Sequence, residues 1–395
     1  MWNKPWRFAE GSAIGAGLIV AGLLLQFTIG AIDWQLLSWP LNIIVLTIYL
    51  LALGVLYILR KHLYFVAWSM TVHAAVPALL SGVAVTLLMG LSGWDEMLSA
   101  WPFVLSYVWL MSIVGLIAID RSKRLFTVNT QAGGQQTVNS RLATFTSVLN
   151  HAGLFLAMVC GTLGNADMQR LHMTTKVGNP EWRAIDADNH GRMHELPIAI
   201  ELHSFTIDEY APQFAIISNE TGRVVNDAQW KVVQDTLLEY AAPRPESDGY
   251  VEWHSMGACT AAHITAFAQP SSLNPQPVSG WVSCGSFMFP YRALKLNDEL
   301  SAVMPEREPK RYASEVTVYS KAGDRIDAVI EVNHPLEVDG WKIYQLSYDE
   351  ALGRWSDVSV FELVRDPWLP WVYAGIFMML AGAVLTFLIS RGRKE

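Results

Sequence analysis

Two of the ten histidines, His73 and His151, fall inside apolar stretches long enough to cross a bilayer. Ionisable side chains are costly there and turn toward protein rather than lipid. Counted from the cytoplasmic end of each stretch, His73 is about 10 residues in and His151 about 9. At about 1.5 Å per residue both are expected roughly 14–15 Å deep, near the midplane. An imidazole at that depth can bond to a neighbouring helix, relay protons, or ligate a metal or haem. His151 has small neighbours, Ala152, Gly153, Ala157 and Gly161, which let a bulky planar group or another helix approach.

The remaining chemistry-bearing residues form weaker patterns. His62 sits in a basic loop, and His172, His190, His194, His203, His254, His263 and His334 are scattered over residues 164–366. His190 and His194 are four apart, but Gly191 and Pro197 argue against a helix that would present them to zinc. The three cysteines include no CxxC, so a zinc ribbon, a thioredoxin-type motif and a disulfide-dense scaffold are excluded. Cys259 and Cys284 are candidates for a disulfide or two free thiols, and Cys160 reads as a small apolar side chain within a span. No Gly-rich phosphate loop, nucleophile elbow or paired-carboxylate motif stands out, and no catalytic residue is assigned.

The elements that must position these residues follow from the charge distribution. Only 16% of the 395 residues are charged and 52% are apolar, and the charges are unevenly placed. Residues 1–163 hold 8 Lys/Arg and 5 Asp/Glu, whereas residues 164–366 hold 17 and 30, a formal −13. That split describes a membrane block joined to an acidic water-soluble domain. The acidic balance argues against nucleic-acid binding.

Six stretches are long enough to span: Ala13–Ile32, Leu41–Leu59, Leu63–Leu91, Phe103–Ile119, Leu142–Leu163 and Trp368–Ile389. The third is the longest and the fourth the shortest. The first has no A-x-A-like cleavage site after it and reads as a retained span. Alternate connections carry Lys4 and Arg7, Arg60 and Lys61, Arg121 to Arg141, and Arg391 to Lys394. The others carry Asp33, then Asp95 and Glu96, then the long 164–366 segment. The positive-inside rule therefore expects both termini in the cytoplasm and residues 164–366 outside it. Trp34, Trp39, Trp94, Trp101, Trp368 and Trp371 mark the outer boundary as an aromatic belt. Gly30–Pro40 and Gly90–Pro102 repeat one pattern about 60 residues apart, which reads as a duplicated scaffold hairpin.

The expected fold class is a polytopic α-helical membrane protein with a β-rich extracytoplasmic domain inserted before the last helix. Three segments are expected: a five-helix membrane domain over 1–163, the β-rich domain over 164–366, and a closing span with a basic tail over 367–395. Within the β-rich domain, Ile198–Ile207, Glu315–Ser320, Arg325–Val332, Lys342–Ser347 and Asp357–Val364 alternate as strands. Gly323-Asp324 and Asp339-Gly340 are hairpin turns. Gln229–Tyr240 has helical spacing, and Pro243–Pro277 reads as a loop.

Val332-Asn333-His334-Pro335-Leu336, followed by Gly340-Trp341-Lys342-Ile343-Tyr344-Gln345-Leu346-Ser347-Tyr348-Asp349 and a final span, resembles the ResB family. His151–Gly161, Glu195–Tyr210 and Trp101-Pro102-Phe103 resemble further family segments, so the likeness runs over roughly residues 95–390. The resemblance implies a System II cytochrome c maturation factor in a bacterial cytoplasmic membrane. It implies work with a CcsA-type partner that carries haem outward and presents it to the CxxCH cysteines of apocytochrome c.

This chain departs from the family pattern by an extra N-terminal hairpin. It also lacks the tryptophan-rich haem-handling segment, so the partner is expected as a separate polypeptide and this chain as a subunit of the synthase, not catalytic alone. The implied cofactor is transient haem b, with His151 as ligand to its iron. His73 is kept as a second candidate on its depth alone. Thiol reductants are a further partner class. Asn333, His334, Pro335, Gly340, Tyr344, Gln345 and Tyr348 match family positions but are expected to act structurally, Tyr344 by alternating into the sheet core.

Two other function classes compete on the residues alone. One is a receptor or transporter subunit whose outer domain binds a small ligand; the other is a scaffold of a membrane complex. A c-type haem carrier is disfavoured because no CxxCH occurs.

Overall fold

The computed structural model describes residues 2–93, 97–127, 135–187, 191–225, 230–268 and 276–391. Trp94, Asp95, Glu96, His190, Gln229, Arg393 and Lys394 lie outside them. The chain divides into a helical unit, Met1–Met168 with Asp366–Glu395, and a β unit, Gln169–Arg365.

Among the described residues, the first unit has seven α-helices: α1 (Phe8–Ile29), α2 (Leu41–Leu59), α3 (Tyr64–Ser69), α4 (Val72–Ser92), α5 (Trp101–Thr127), α6 (Gln135–Gly164) and α7 (Leu369–Arg391). All but α3 are long and apolar enough to cross a membrane. Two span expectations need correction. The third apolar stretch is not one helix: it breaks between Ser69 and Val72, where Ser69 and Thr71 turn their hydroxyls onto the carbonyls of Phe65 and Trp68. Hydroxyls that bond locally compete with helix propagation. The fourth stretch, expected to be the shortest, becomes the 27-residue α5 because the helix continues through Asp120 and Arg124.

Helix α5 is the hub, packing against α1 and α4 on one side and α2 and α6 on the other. Small residues set the close approaches. A Cβ on Gly153 of α6 would fall 2.6 Å from the Gly375 carbonyl of α7, and a Cβ on Gly375 would fall 2.6 Å from that of Gly153. The duplicated hairpins meet each other: Trp34 Nε1 donates to Leu98 O at 3.0 Å, and Trp101 Nε1 donates to Gly30 O at 3.0 Å.

The β unit contains an eight-stranded antiparallel sheet in the order β12-β11-β3-β2-β1-β15-β14-β13. Its strands are β1 (Gln169–Lys176), β2 (Glu181–Asp186), β3 (Met193–Glu209), β11 (Pro309–Ser320), β12 (Arg325–Glu331), β13 (Leu336–Val338), β14 (Trp341–Tyr348) and β15 (Val358–Arg365). One face buries Met173, Ile198, Ile200, Leu202, Val318, Trp341 and Phe361. The period-2 readings hold on β3, β11, β12, β14 and β15 because each alternates one apolar face into this core. Asp339 and Gly340, at φ of 50° and 78°, make the β13–β14 turn. Tyr344 is a correction: Trp341, Ile343 and Gln345 face inward, so Tyr344 falls on the other face.

A second layer packs β4 (Ala215–Ser218), β9 (Leu294–Lys295) and β10 (Leu300–Val303) against a four-stranded sheet, β6-β5-β7-β8. Here β5 is Trp230–Pro243, β6 Tyr250–Glu252, β7 Cys259–Ala268 and β8 Val278–Gly285. The helix expected over Gln229–Tyr240 is therefore a strand from Trp230 onward, and the expected loop Pro243–Pro277 contains β6 and β7. Strand β7 is central, and its alanines are buried, Ala261, Ala262 and Ala266 all at 0% exposure. Small residues fit that crowded position while giving no β-branched signal.

Candidate functional site

Helix α6 carries His151 ten residues past Arg141, near the middle of its apolar stretch. Its Nδ1 lies 2.7 Å from the Ser147 carbonyl and 3.5 Å from the Ser147 hydroxyl, one turn back. A carbonyl only accepts, so Nδ1 carries a proton, and in the neutral ring Nε2 is left with its lone pair. A carbonyl behind one ring nitrogen is the arrangement that orients a metal-ligating imidazole. Among the described residues, neither ring nitrogen bonds to another helix. His151 is half-buried and lies on the α6 face that also carries Phe155, Met158 and Thr162.

The small residues around it divide between two uses. Gly153 and Ala157 seat α7 at Gly375, so a helix fills that side. A Cβ on Gly161 would meet nothing within 4 Å. Gly161 borders an apolar cavity of about 250 Å³ walled by Trp34, Phe103 and Tyr107.

His73 does not lie about ten residues into a continuous helix, as expected. Because α4 begins at Val72, His73 occupies its first turn, half-buried against the Phe8 ring at 4.6 Å. Its helix packs on α1 and α5, while α6 packs on α5 and α7, so the structure does not bring His73 and His151 together.

Two polar clusters of the helical unit gave no sequence signal. Asp120 on α5, 8% exposed, accepts from the Tyr57 hydroxyl at 3.1 Å and pairs with Arg124 at 2.8 Å; Arg60 stacks 3.8 Å over the Tyr57 ring. Asp167 accepts from Trp39 N, Asn42 Nδ2 and Trp368 Nε1 at 2.6–2.7 Å, tying the starts of α2 and α7 to the end of α6. The Asp120–Arg124 pair is local, but the Tyr57 hydroxyl on Asp120 and all three donors on Asp167 come from distant segments, which no local spacing reveals.

In the β unit, two adjoining cavities of about 320 and 280 Å³ share Glu209, Arg307 and Arg354 in their walls. Arg307, with a side chain 7% exposed, donates to Tyr210 O at 2.8 Å and pairs with Glu209 at 3.3 Å. Arg354 donates to Ala258 O and Thr260 Oγ1, both at 3.3 Å, and lies 5.0 Å over the Tyr240 ring. Cys284 lines the larger cavity, and Cys160, Cys259 and Cys284 are all unpaired. Burial pushes the Cys259 and Cys284 thiols up from their ordinary range. His334 is exposed beside Glu331, whereas Gln345, 4% exposed, bonds Ser314 inside the sheet at 2.6 Å. His194 pairs with Asp186 at 2.9 Å.

No curated protein matches the chain. Residues 282–356, from β8 through β14 to the turn before β15, match the model of the ResB-like family. The Asn333–Leu336 and Gly340–Asp349 motifs lie inside that match, as does most of the wall of the larger cavity. The match agrees with the resemblance read from those motifs: residues 282–356 are similar to the ResB-like family, and at the level of that family the likeness supports a role in cytochrome c biogenesis.

Proposed function

We propose that the chain holds haem within the membrane for delivery to apocytochrome c, with the His151 Nε2 as ligand to the iron. The observation that carries the reading is the fixed tautomer: Nδ1 is committed to the Ser147 carbonyl, and Nε2 has no partner among the described residues. A hydrogen-bonding role for His151 would need an acceptor or donor on another helix. Haem is cargo here, and a neutral imidazole at His151 would supply a bond to its iron. His73, in the first turn of α4, serves on this reading to close α1 against α4 and not as the second ligand; the second ligand comes from a CcsA-type partner. Residues 164–366 lie outside the cytoplasm, both termini lie inside, and the β unit receives the apocytochrome.

The test is the absorption spectrum of the detergent-purified complex with a CcsA-type partner. His151→Ala is expected to lower bound haem and cytochrome c maturation while protein level is retained; His73→Ala is expected to keep the haem band. An unchanged spectrum in His151→Ala would remove the assignment.

A further inference from the structure

The C-terminal ends of α2 and α5 lie together, and both are basic. Residues 57–64 and 119–127 hold five Lys or Arg and one acid, Asp120. Tyr57 joins the two ends, its hydroxyl donating to Asp120 at 3.1 Å. Cations from both helices gather on that pair. Arg60 stacks 3.8 Å over the Tyr57 ring, and Lys123 Nζ lies 5.9 Å from the centre of the same ring. Asp120 pairs with Arg124 at 2.8 Å and stands 4.0 Å from Arg60 Nη2, beyond hydrogen-bond reach. Arg60 Nη1 donates to Tyr57 O at 3.3 Å, a neutral oxygen that leaves its charge intact. One carboxylate is thus set against five cations, and the joined ends are strongly positive.

Apolar surface leads up to this cluster. Leu51, Val55 and Ile58 are exposed at helical spacing along α2, and exposed Lys61 comes one turn after Ile58. Phe126, 78% exposed, stands in the last turn of α5 beyond Lys123. Charge at the end of an apolar lane is the division of a phospholipid, with its phosphate at one end and its acyl chains at the other.

We propose that the joined ends of α2 and α5 bind an anionic phospholipid, with its phosphate on Arg60, Lys61 and Lys123 and an acyl chain along Leu51, Val55 and Ile58. A guanidinium and two ammonium groups match phosphate oxygens in charge and hydrogen bonding. Basic pockets between membrane helices take anionic headgroups for this reason. The lane selects a lipid over free phosphate, which has no chain to lay on it. The bound lipid would bridge the two helix ends as a second fastening beside the Tyr57–Asp120 bond. The inference goes beyond the haem reading and does not depend on it.

The test uses the full chain in phosphatidylcholine nanodiscs carrying a trace of spin-labelled phosphatidylglycerol, with spin-labelled phosphatidylcholine as reference. The immobilised fraction of each label gives its relative affinity. One cation beside an anionic headgroup is worth about fivefold, so the parent is expected to prefer phosphatidylglycerol by about tenfold or more. Lys61→Gln with Lys123→Gln should cut the preference by about fivefold or more, and adding Arg60→Gln should abolish it. The exposed Lys61 and Lys123 decide the matter alone if the triple variant does not fold. Lys310→Gln with Lys321→Gln, exposed lysines of the β unit, should keep the parent preference. His151→Ala should keep it too, which separates this site from the haem site. Inorganic phosphate at about 10 mM and matched ionic strength should not displace the label. Equal affinity of the parent for the two lipids would overturn the proposal, as would an unchanged preference in the Lys61 and Lys123 double variant. An equal loss in the Lys310 and Lys321 variant would reduce the effect to net charge and overturn it. Displacement by inorganic phosphate would assign the cluster to the free ion and also overturn it.

Discussion

At the scale of single residues, the structure separates groups that hold the fold from groups with an unspent valence. Asp167 belongs to the first kind. Its carboxylate satisfies three N–H groups, one from Asn42 in α2 and two from Trp39 and Trp368, just before α2 and α7. Asp167→Ala leaves those donors without an acceptor and is expected to cost about 1–3 kcal/mol, read as a lower melting temperature in detergent. A variant melting with the parent would show that water or lipid headgroups replace the carboxylate.

The thiols of the β unit respond to pH in a defined sense. Burial raises the folded-state pKa of Cys259 and Cys284 above the unfolded value. The contribution of the neutral thiols is therefore fully present below the unfolded pKa, about 8.5, and is lost as pH rises through the folded one. Both thiols are expected to label slowly with a membrane-impermeant maleimide at pH 7 and faster above pH about 9. Rapid labelling of both at pH 7 would contradict the burial; absence of labelling until a reductant is added would reveal a disulfide.

At the scale of elements, the contact between α6 and α7 rests on glycines that admit no side chain. Gly153→Val or Gly375→Val would drive a side chain into the facing backbone carbonyl, 2.6 Å from a Cβ in either case. Either is expected to lower the yield of folded protein, whereas Gly161→Ala, with open space at its Cβ, should be neutral. Equal effects of the three would mean that the α6–α7 packing is not the constraint. The elements also show where sequence reading succeeds. Strands with one wet face, such as β11 and β15, announce themselves by alternation. Strand β7 does not, because its alanines are buried in the middle of a sheet and resemble a loop composition. The break at Ser69–Thr71 was hidden inside a continuous apolar run, and with it the true position of His73. The cavity acids and arginines come from three segments far apart in the chain, around Glu209, Glu306–Arg307 and Glu350–Arg354, so only folding brings them together. His151 was legible because an ionisable residue in an apolar helix is conspicuous, but its tautomer needed the Ser147 carbonyl.

For the whole molecule, the proposed function would have the helical unit hold haem and the β unit receive a polypeptide. Orientation rests on the basic connections between helices. A reporter active only outside the cytoplasm is expected to be active when inserted at Asp248 and silent when fused after Arg124 or at Glu395. Activity at Arg124 would reverse the orientation and place the β unit in the cytoplasm. The acidic β unit, within the −13 of residues 164–366, would draw basic partners at long range, an effect that salt screens.

The central claim, that the His151 Nε2 ligates haem iron, is tested most directly by chemical rescue. The complex of His151→Gly with the CcsA-type partner is purified with and without added imidazole, and its haem absorption is recorded. Glycine removes the ring and leaves room for a free imidazole at the iron. The account predicts loss of the haem band without imidazole and its partial return, with parent-like band positions, when imidazole is present. Full haem content without imidazole, or a loss that imidazole does not reverse in a complex that is otherwise intact, would contradict it.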